Sequence, residues 1–172
     1  TGGVIKGSEP VGAEYRSTDG ANVGAFVWMK RPGGKWEVTD GDTGWRDISA
    51  LFPSGALLNG GQIHMRRAGG LVRLRTGPNW WGSKAGFIAT SRSMVALKVP
   101  AGFQDEAKYS IVAGISSVPN SPTGQGAILT WGNSNLELHF QSLSDGGFSF
   151  TSPPSWSTAD PWPTAPLPGK PA

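Results

Sequence analysis

No stretch of a dozen residues in this chain carries a 3.6-residue apolar repeat free of an internal glycine or proline, whereas alternating runs of four to seven residues recur throughout. With 26 glycines and 14 prolines among 172 residues, breaks come too often for helices and at the interval of strands joined by turns. The expected class is all-β. Strand-like segments at 86–90, 94–99, 108–114, 126–131, 135–142 and 147–151 follow one another with the spacing of a sandwich or barrel. Within 136–140, Leu136, Leu138 and Phe140 alternate with Glu137 and His139, the pattern of a half-buried strand.

Residues 24–49 form the most strongly patterned stretch, two β-rich runs flanking Pro32-Gly33-Gly34. A turn centred on Pro32 sets Trp28 opposite Trp36 and Phe26 opposite Val38, with Glu37 and Thr39 on the other face. A two-stranded ribbon is marginal alone, so the Trp28/Trp36 face needs cover from the rest of the chain or from identical copies. The corner Asp40-Gly41-Asp42-Thr43-Gly44 superficially resembles a calcium loop, but Gly44 and Leu51 stand where oxygen ligands are needed. An Asx turn aiming Trp45 back onto the hairpin is expected instead. Residues 47–61 have room for one helical turn before Pro53.

A second hairpin is expected over 62–76, turning at Gly69-Gly70. Its register pairs Met65 with Leu74 and Arg67 with Val72 on one face, His64 with Arg75 and Arg66 with Arg73 on the other. Like charges opposed across a sheet repel, so the second face is either splayed into solvent or offset by carboxylates or a bound anion. Beyond it, Trp80 and Trp81 are adjacent and point to opposite sides of an extended backbone. One can reach the core, leaving the other as a sugar-stacking platform or a subunit contact. The segment 152–172 has too much proline for a central strand and should run extended over the surface, pinned by Trp156 and Trp162.

The expected organisation is an N-terminal linker and hairpin neck at 1–50, followed by a β-sandwich tip at 51–172, with residues 1–13 as a glycine-rich linker or docking arm. The absence of cysteine removes disulfides, thiolate catalysis and Cys-ligated metal. A net charge of +3 without a basic run gives no basis for nucleic-acid binding, and no apolar stretch is long enough to span a membrane. The chain starts at Thr1, which leads to the expectation of a C-terminal piece of a longer protein. No nucleophile elbow, phosphate loop or metalloprotease motif is present, and the spacing of Asp40, Asp42, Asp105, Glu106 and Glu137 selects no catalytic pair. His64 and His139, beside outward-facing residues, read as surface histidines. The expectation is a non-enzymatic chain without cofactor or metal.

Several segments together resemble the C-terminal part of minor tail proteins and tail fibres of bacteriophages, particularly those of Gram-positive actinobacteria. They are Glu14-Tyr15-Arg16-Ser17-Thr18-Asp19-Gly20-Ala21, Phe26-Val27-Trp28, the run Lys35 to Arg46, Ile63 to Arg67, Val99 to Phe103 and Trp162 to Gly169. One local departure is Gln104-Asp105, where relatives tend to carry Arg-Pro after the Gly-Phe pair. The resemblance implies an all-β, jelly-roll-like, homotrimeric tip at the far end of a longer fibre, carried on the virion and acting outside the cell. Its implied partner is a host surface polysaccharide or cell-wall polymer. Candidate ligand-binding residues are Trp80 and Trp81 for sugar stacking, and Arg66, Arg73 and Arg75 for phosphate. A polysaccharide depolymerase, or a purely structural decoration of the virion, is the alternative.

Overall fold

The structure, a computed structural model, describes residues 7–52, 62–77, 94–104, 111–117, 127–131, 137–142, 148–149, 154–164 and 166–172. The expected strand at 86–90 and the Trp80-Trp81 pair lie outside them. The protein is all-β, and the helical segments among the described residues are two single 3-10 turns, Gly20–Asn22 and Ser49–Leu51. Among the described residues thirteen strands follow in chain order: β1 (Glu14–Arg16), β2 (Ala25–Lys30), β3 (Trp36–Gly41), β4 (Arg46–Asp47), β5 (Ile63–Ala68), β6 (Leu71–Thr76), β7 (Met94–Lys98), β8 (Ile111–Ser117), β9 (Ala127–Trp131), β10 (Glu137–Ser142), β11 (Phe148–Ser149), β12 (Ser155–Ser157) and β13 (Lys170–Pro171). They form three antiparallel sheets, ordered β1-β2-β3, β12-β6-β5-β4-β13 and β11-β8-β9-β10-β7.

In the first sheet, the turn is a three-residue loop, Pro32-Gly33-Gly34, closed by Arg31 N–H donating to the Lys35 carbonyl at 2.8 Å. Gly33 and Gly34 both take positive φ, which explains why glycines stand there. The loop is centred on Gly33 and not on Pro32, which moves the register by two positions from the expected one, so Trp28 faces Val38 and Lys30 faces Trp36. An even shift leaves every side chain on its expected face. Irregular pairing at Ala25, Val27 and Trp28 then breaks the alternation, and Phe26 is 40% exposed rather than opposite Val38. The arm runs beside β2, with Gly12 N–H on the Lys30 carbonyl and Lys30 Nζ on the Gly7 carbonyl at 2.6 Å.

The second sheet carries a buried apolar core. Its central hairpin has the expected register at every pair, from Ile63 opposite Thr76 to Ala68 opposite Leu71. Ile63, Met65, Val72 and Leu74 are fully buried, together with Ile48 and Phe103. Each such side chain contributes about 1.5–3 kcal/mol of transfer free energy. The tail supplies both edge strands, β12 against β6 and β13 against β4, because an edge tolerates proline where a central strand cannot. Trp156 is 4% exposed and donates its indole N–H to the Phe103 carbonyl at 2.7 Å. Trp162 donates to the Val23 carbonyl at 2.8 Å, which ties the tail to the first sheet.

The two sheets join at the corner after β3. Gly24 accepts the Asp42 N–H at 2.7 Å, and a Cβ on Gly24 would lie 1.8 Å from the Asp42 carbonyl oxygen, so a glycine is required there. The Trp162 ring lies over Gly41, where an added Cβ would come within 2.7 Å of it.

Candidate functional site

Alternation along β5 sends Arg66 and Arg67 to opposite faces of the sheet, and the two arginines are used differently. On the outer face, Arg66 grips the Asp42 carboxylate with both prongs of its fork, Nε to Oδ1 at 2.8 Å and Nη2 to Oδ2. That bidentate bond holds the Asp42 carboxyl below its usual range and raises Arg66. Asp42 Oδ1 also accepts the Gly44 N–H at 2.9 Å, closing the expected Asx turn. The turn does not send Trp45 back onto the first hairpin. It lays the indole under the second, with the Arg75 guanidinium 4.2 Å from the ring centroid and that of Arg66 at 5.9 Å.

His64 is not a surface histidine. It is 3% exposed, sitting between Asp47 on β4 and Arg75 on β6. Burial and the neighbouring Arg75 push its pKa below the ordinary value, against the pull of Asp47. Arg75 Nε donates to Nδ1 at 3.3 Å, which requires that nitrogen to be unprotonated. Burial also acts on the Asp47 carboxyl, but donation from the Ser49 hydroxyl at 2.5 Å and the Ser49 N–H at 3.0 Å keeps it lowered.

The repulsion expected on this face is therefore offset unevenly. Asp42 neutralises Arg66, and Asp47 faces His64 and Lys170. Among the described residues no carboxylate pairs with Arg73 or Arg75. Arg73 is exposed, opposite Ser155 on the edge strand. Arg73 and Arg75 are thus left without a carboxylate on the face where Arg75 stacks on Trp45, an arrangement suited to an anion. Of the five expected ligand residues, Arg66, Arg73 and Arg75 are brought together here, and Trp80 and Trp81 lie outside the described residues.

On the inner face, Arg67 is a buried organiser that the sequence reading placed in an apolar row without a role. Its guanidinium donates to the carbonyls of Gly69 (2.9 Å), Gly102 (2.5 Å), Asp160 (2.9 Å) and Pro161 (3.0 Å), and lies 4.7 Å from the Trp162 ring centroid. Asp160 in turn accepts the N–H groups of Gly102 and Gln104 at 2.9 and 3.1 Å. Burial pushes the Arg67 pKa down, with Asp160 acting the other way. The signal in the sequence was an arginine on the row of Met65, Val72 and Leu74. Next to this clasp, between the first sheet and the tail, a groove of about 700 Å³ is lined by Trp28, Trp36, Val38, Asp40 and Trp162.

Among the described residues no group of three or more His, Asp or Glu is placed to hold a metal ion. A scan against protein-family models matches none, and searches of the curated proteins and of the solved structures find no similar chain.

Proposed function

We propose that this chain is the host-attachment tip of a bacteriophage tail fibre or minor tail protein, binding a cell-surface glycan or cell-wall polymer without catalysis. The observation that carries the reading is the outer face of the second hairpin, where Arg73 and Arg75 remain unneutralised beside Trp45. Wall polymers that alternate sugars with phosphates offer both groups such a face can hold, a planar C–H surface for an indole and an anion for a guanidinium fork. Trp80 and Trp81, which lie outside the described residues, are proposed from the sequence alone as further sugar-stacking groups. The all-β fold and the segment resemblance support a β-sandwich tip of jelly-roll type on a hairpin neck, assembled as a homotrimer at the end of the virion tail. Phe26, 40% exposed, and Val11, 61% exposed, supply apolar surface for that association.

The test is a pull-down of the full chain on intact cells of actinobacterial hosts, with sedimentation run on the same sample. Saturable adsorption of a trimer without release of soluble sugar is expected. Release of sugar would make the chain a depolymerase. Neither adsorption nor release would make it a decoration of the virion.

A further inference from the structure

We infer that the open edge of β3 takes up β1 of a second copy of this chain, so that three copies of the first sheet join edge to edge around a three-fold axis. The inference deepens the attachment reading and rests on its trimer, not on its ligand.

Among the described residues the first sheet has two unpaired edges, β1 on one side and β3 on the other. Lys30 N–H donates to the Ala13 carbonyl and Lys30 C=O accepts the Gly12 N–H, so the backbone of Lys30, and of Trp28 two residues earlier, is turned to the β1 side. Their partners across the hairpin, Trp36 and Val38, therefore turn their own N–H and C=O groups outward. No other segment among the described residues bonds those groups. The β5–β6 turn reaches this edge only at its far end, where Gly69 N–H meets the Gly41 carbonyl at 2.9 Å. Before that point the groove, and not another strand, lies along the edge. On the opposite edge, Tyr15 faces Trp28 and Ser17 N–H bonds the Phe26 carbonyl, which leaves the backbone groups of Glu14 and Arg16 pointing outward. Edges of this kind are templates for a further chain.

Strand direction and charge choose the register. β1 and β3 both run antiparallel to β2 and so point the same way. Rotation about an axis along the strands keeps that direction, and β3 meets β1 of the next copy in parallel, a head-to-tail contact that closes after three copies. Setting Trp36 beside Tyr15 of the next copy puts Lys35 beside its Glu14 and Glu37 beside its Arg16, two pairs of opposite charge. Setting Val38 there would oppose Glu37 to Glu14, two carboxylates. Glu14 with Arg16, and Arg31 with Glu37, already pair within a chain, but in water such pairs hold little and each group can take a second partner. In the favoured register Trp36 N–H donates to the Glu14 carbonyl of the next copy, and Trp36 C=O accepts the N–H of its Arg16. The shared face then carries Tyr15, Trp28, Trp36 and Val38 from every copy, all only half-buried in the single chain, and gives them the cover they lack.

The chain has no cysteine, so an introduced pair reports this contact alone. The test is oxidation of the full chain carrying Arg16→Cys and Glu37→Cys, read on a non-reducing gel, with sedimentation of the reduced sample. Within one chain β2 separates the two positions, beyond disulfide reach, whereas across the inferred contact they are neighbours. A covalent trimer is expected from the double variant and no cross-link from either single one. Lys35→Glu should raise the monomer–trimer midpoint concentration about threefold or more, and adding Glu14→Lys should bring it back. That charge swap keeps the test open where the cysteine pair disturbs the fold. A wild-type chain that stays monomeric, or a trimer that neither cross-links nor responds to the swap, overturns the inference. Dimers from Glu37→Cys alone overturn it too, because β3 then pairs with itself across a two-fold axis. Cell adsorption by a protein that fails these tests leaves the attachment reading standing. Cross-linked trimers that adsorb to no cell remove that reading and keep the contact.

Discussion

Truncating Arg67 to alanine should be among the most damaging single changes available in the described part of this protein. The guanidinium holds four carbonyls from three separate stretches of chain and stacks on Trp162. The Gly102 carbonyl is buried and would be left bare, at about 1–3 kcal/mol. Loss of the stack on Trp162 adds about 1 kcal/mol. The other three carbonyls are only part-buried and regain water, so their bonds and the packing of the arginine stem together add about 1–2 kcal/mol. The expected loss is about 3–6 kcal/mol, a large share of a domain's total stability. Arg67→Lys keeps the charge and most of the stem but cannot reach four acceptors, and should lose about half as much. Urea unfolding followed by tryptophan emission measures both, since Trp162 leaves its position over Gly41 when the clasp opens. A loss under about 1 kcal/mol for Arg67→Ala, or equal losses for the two variants, would refute the claim that the fork organises the tail.

Two further outcomes follow from single residues. Ala21 sits in the left-handed region at φ 52°, where a side chain is strained, so Ala21→Gly should stabilise the protein by about 0.5–1 kcal/mol in the same urea experiment. His64 has a folded-state pKa below its ordinary 6.5, so the folded protein binds fewer protons than the unfolded chain, and stability present above pH 6.5 declines as the pH falls through the folded value. In a series of melts against pH, His64→Gln should flatten that part of the curve. It should leave the steeper loss below pH 3.8, where the lowered carboxyls of Asp42 and Asp47 take up protons.

Much of the second hairpin could be read directly because Gly69-Gly70 admits one tight turn, and a two-residue turn fixes every pair behind it. The first hairpin was harder. Pro32-Gly33-Gly34 accommodates turns centred on different residues, and moving the centre by one residue shifts every pair by two positions while keeping the side-chain faces. The exposure of Phe26 comes from an irregular pairing that no local residue announces. Asp42 was visible as a carboxylate in a turn, but its role as the partner of Arg66 depends on the fold bringing residues 24 positions apart into contact. The same holds for the burial of His64, which arises from the short strand β4 pairing across it. Periodicity gave the face of Arg67, yet an arginine in an apolar row has no local explanation until residues 102, 160 and 161 are folded around it.

The measurement closest to the central claim is adsorption of the full chain to intact host cells, wild type against Arg73→Glu, across a range of salt concentrations. Arg73 is exposed and pairs with no carboxylate among the described residues, so the change reverses one charge of the outer face without opening the core. Wild-type adsorption should be saturable and weaken with salt, and Arg73→Glu should lower it about tenfold or more. Adsorption equal in both proteins and indifferent to salt would contradict the claim.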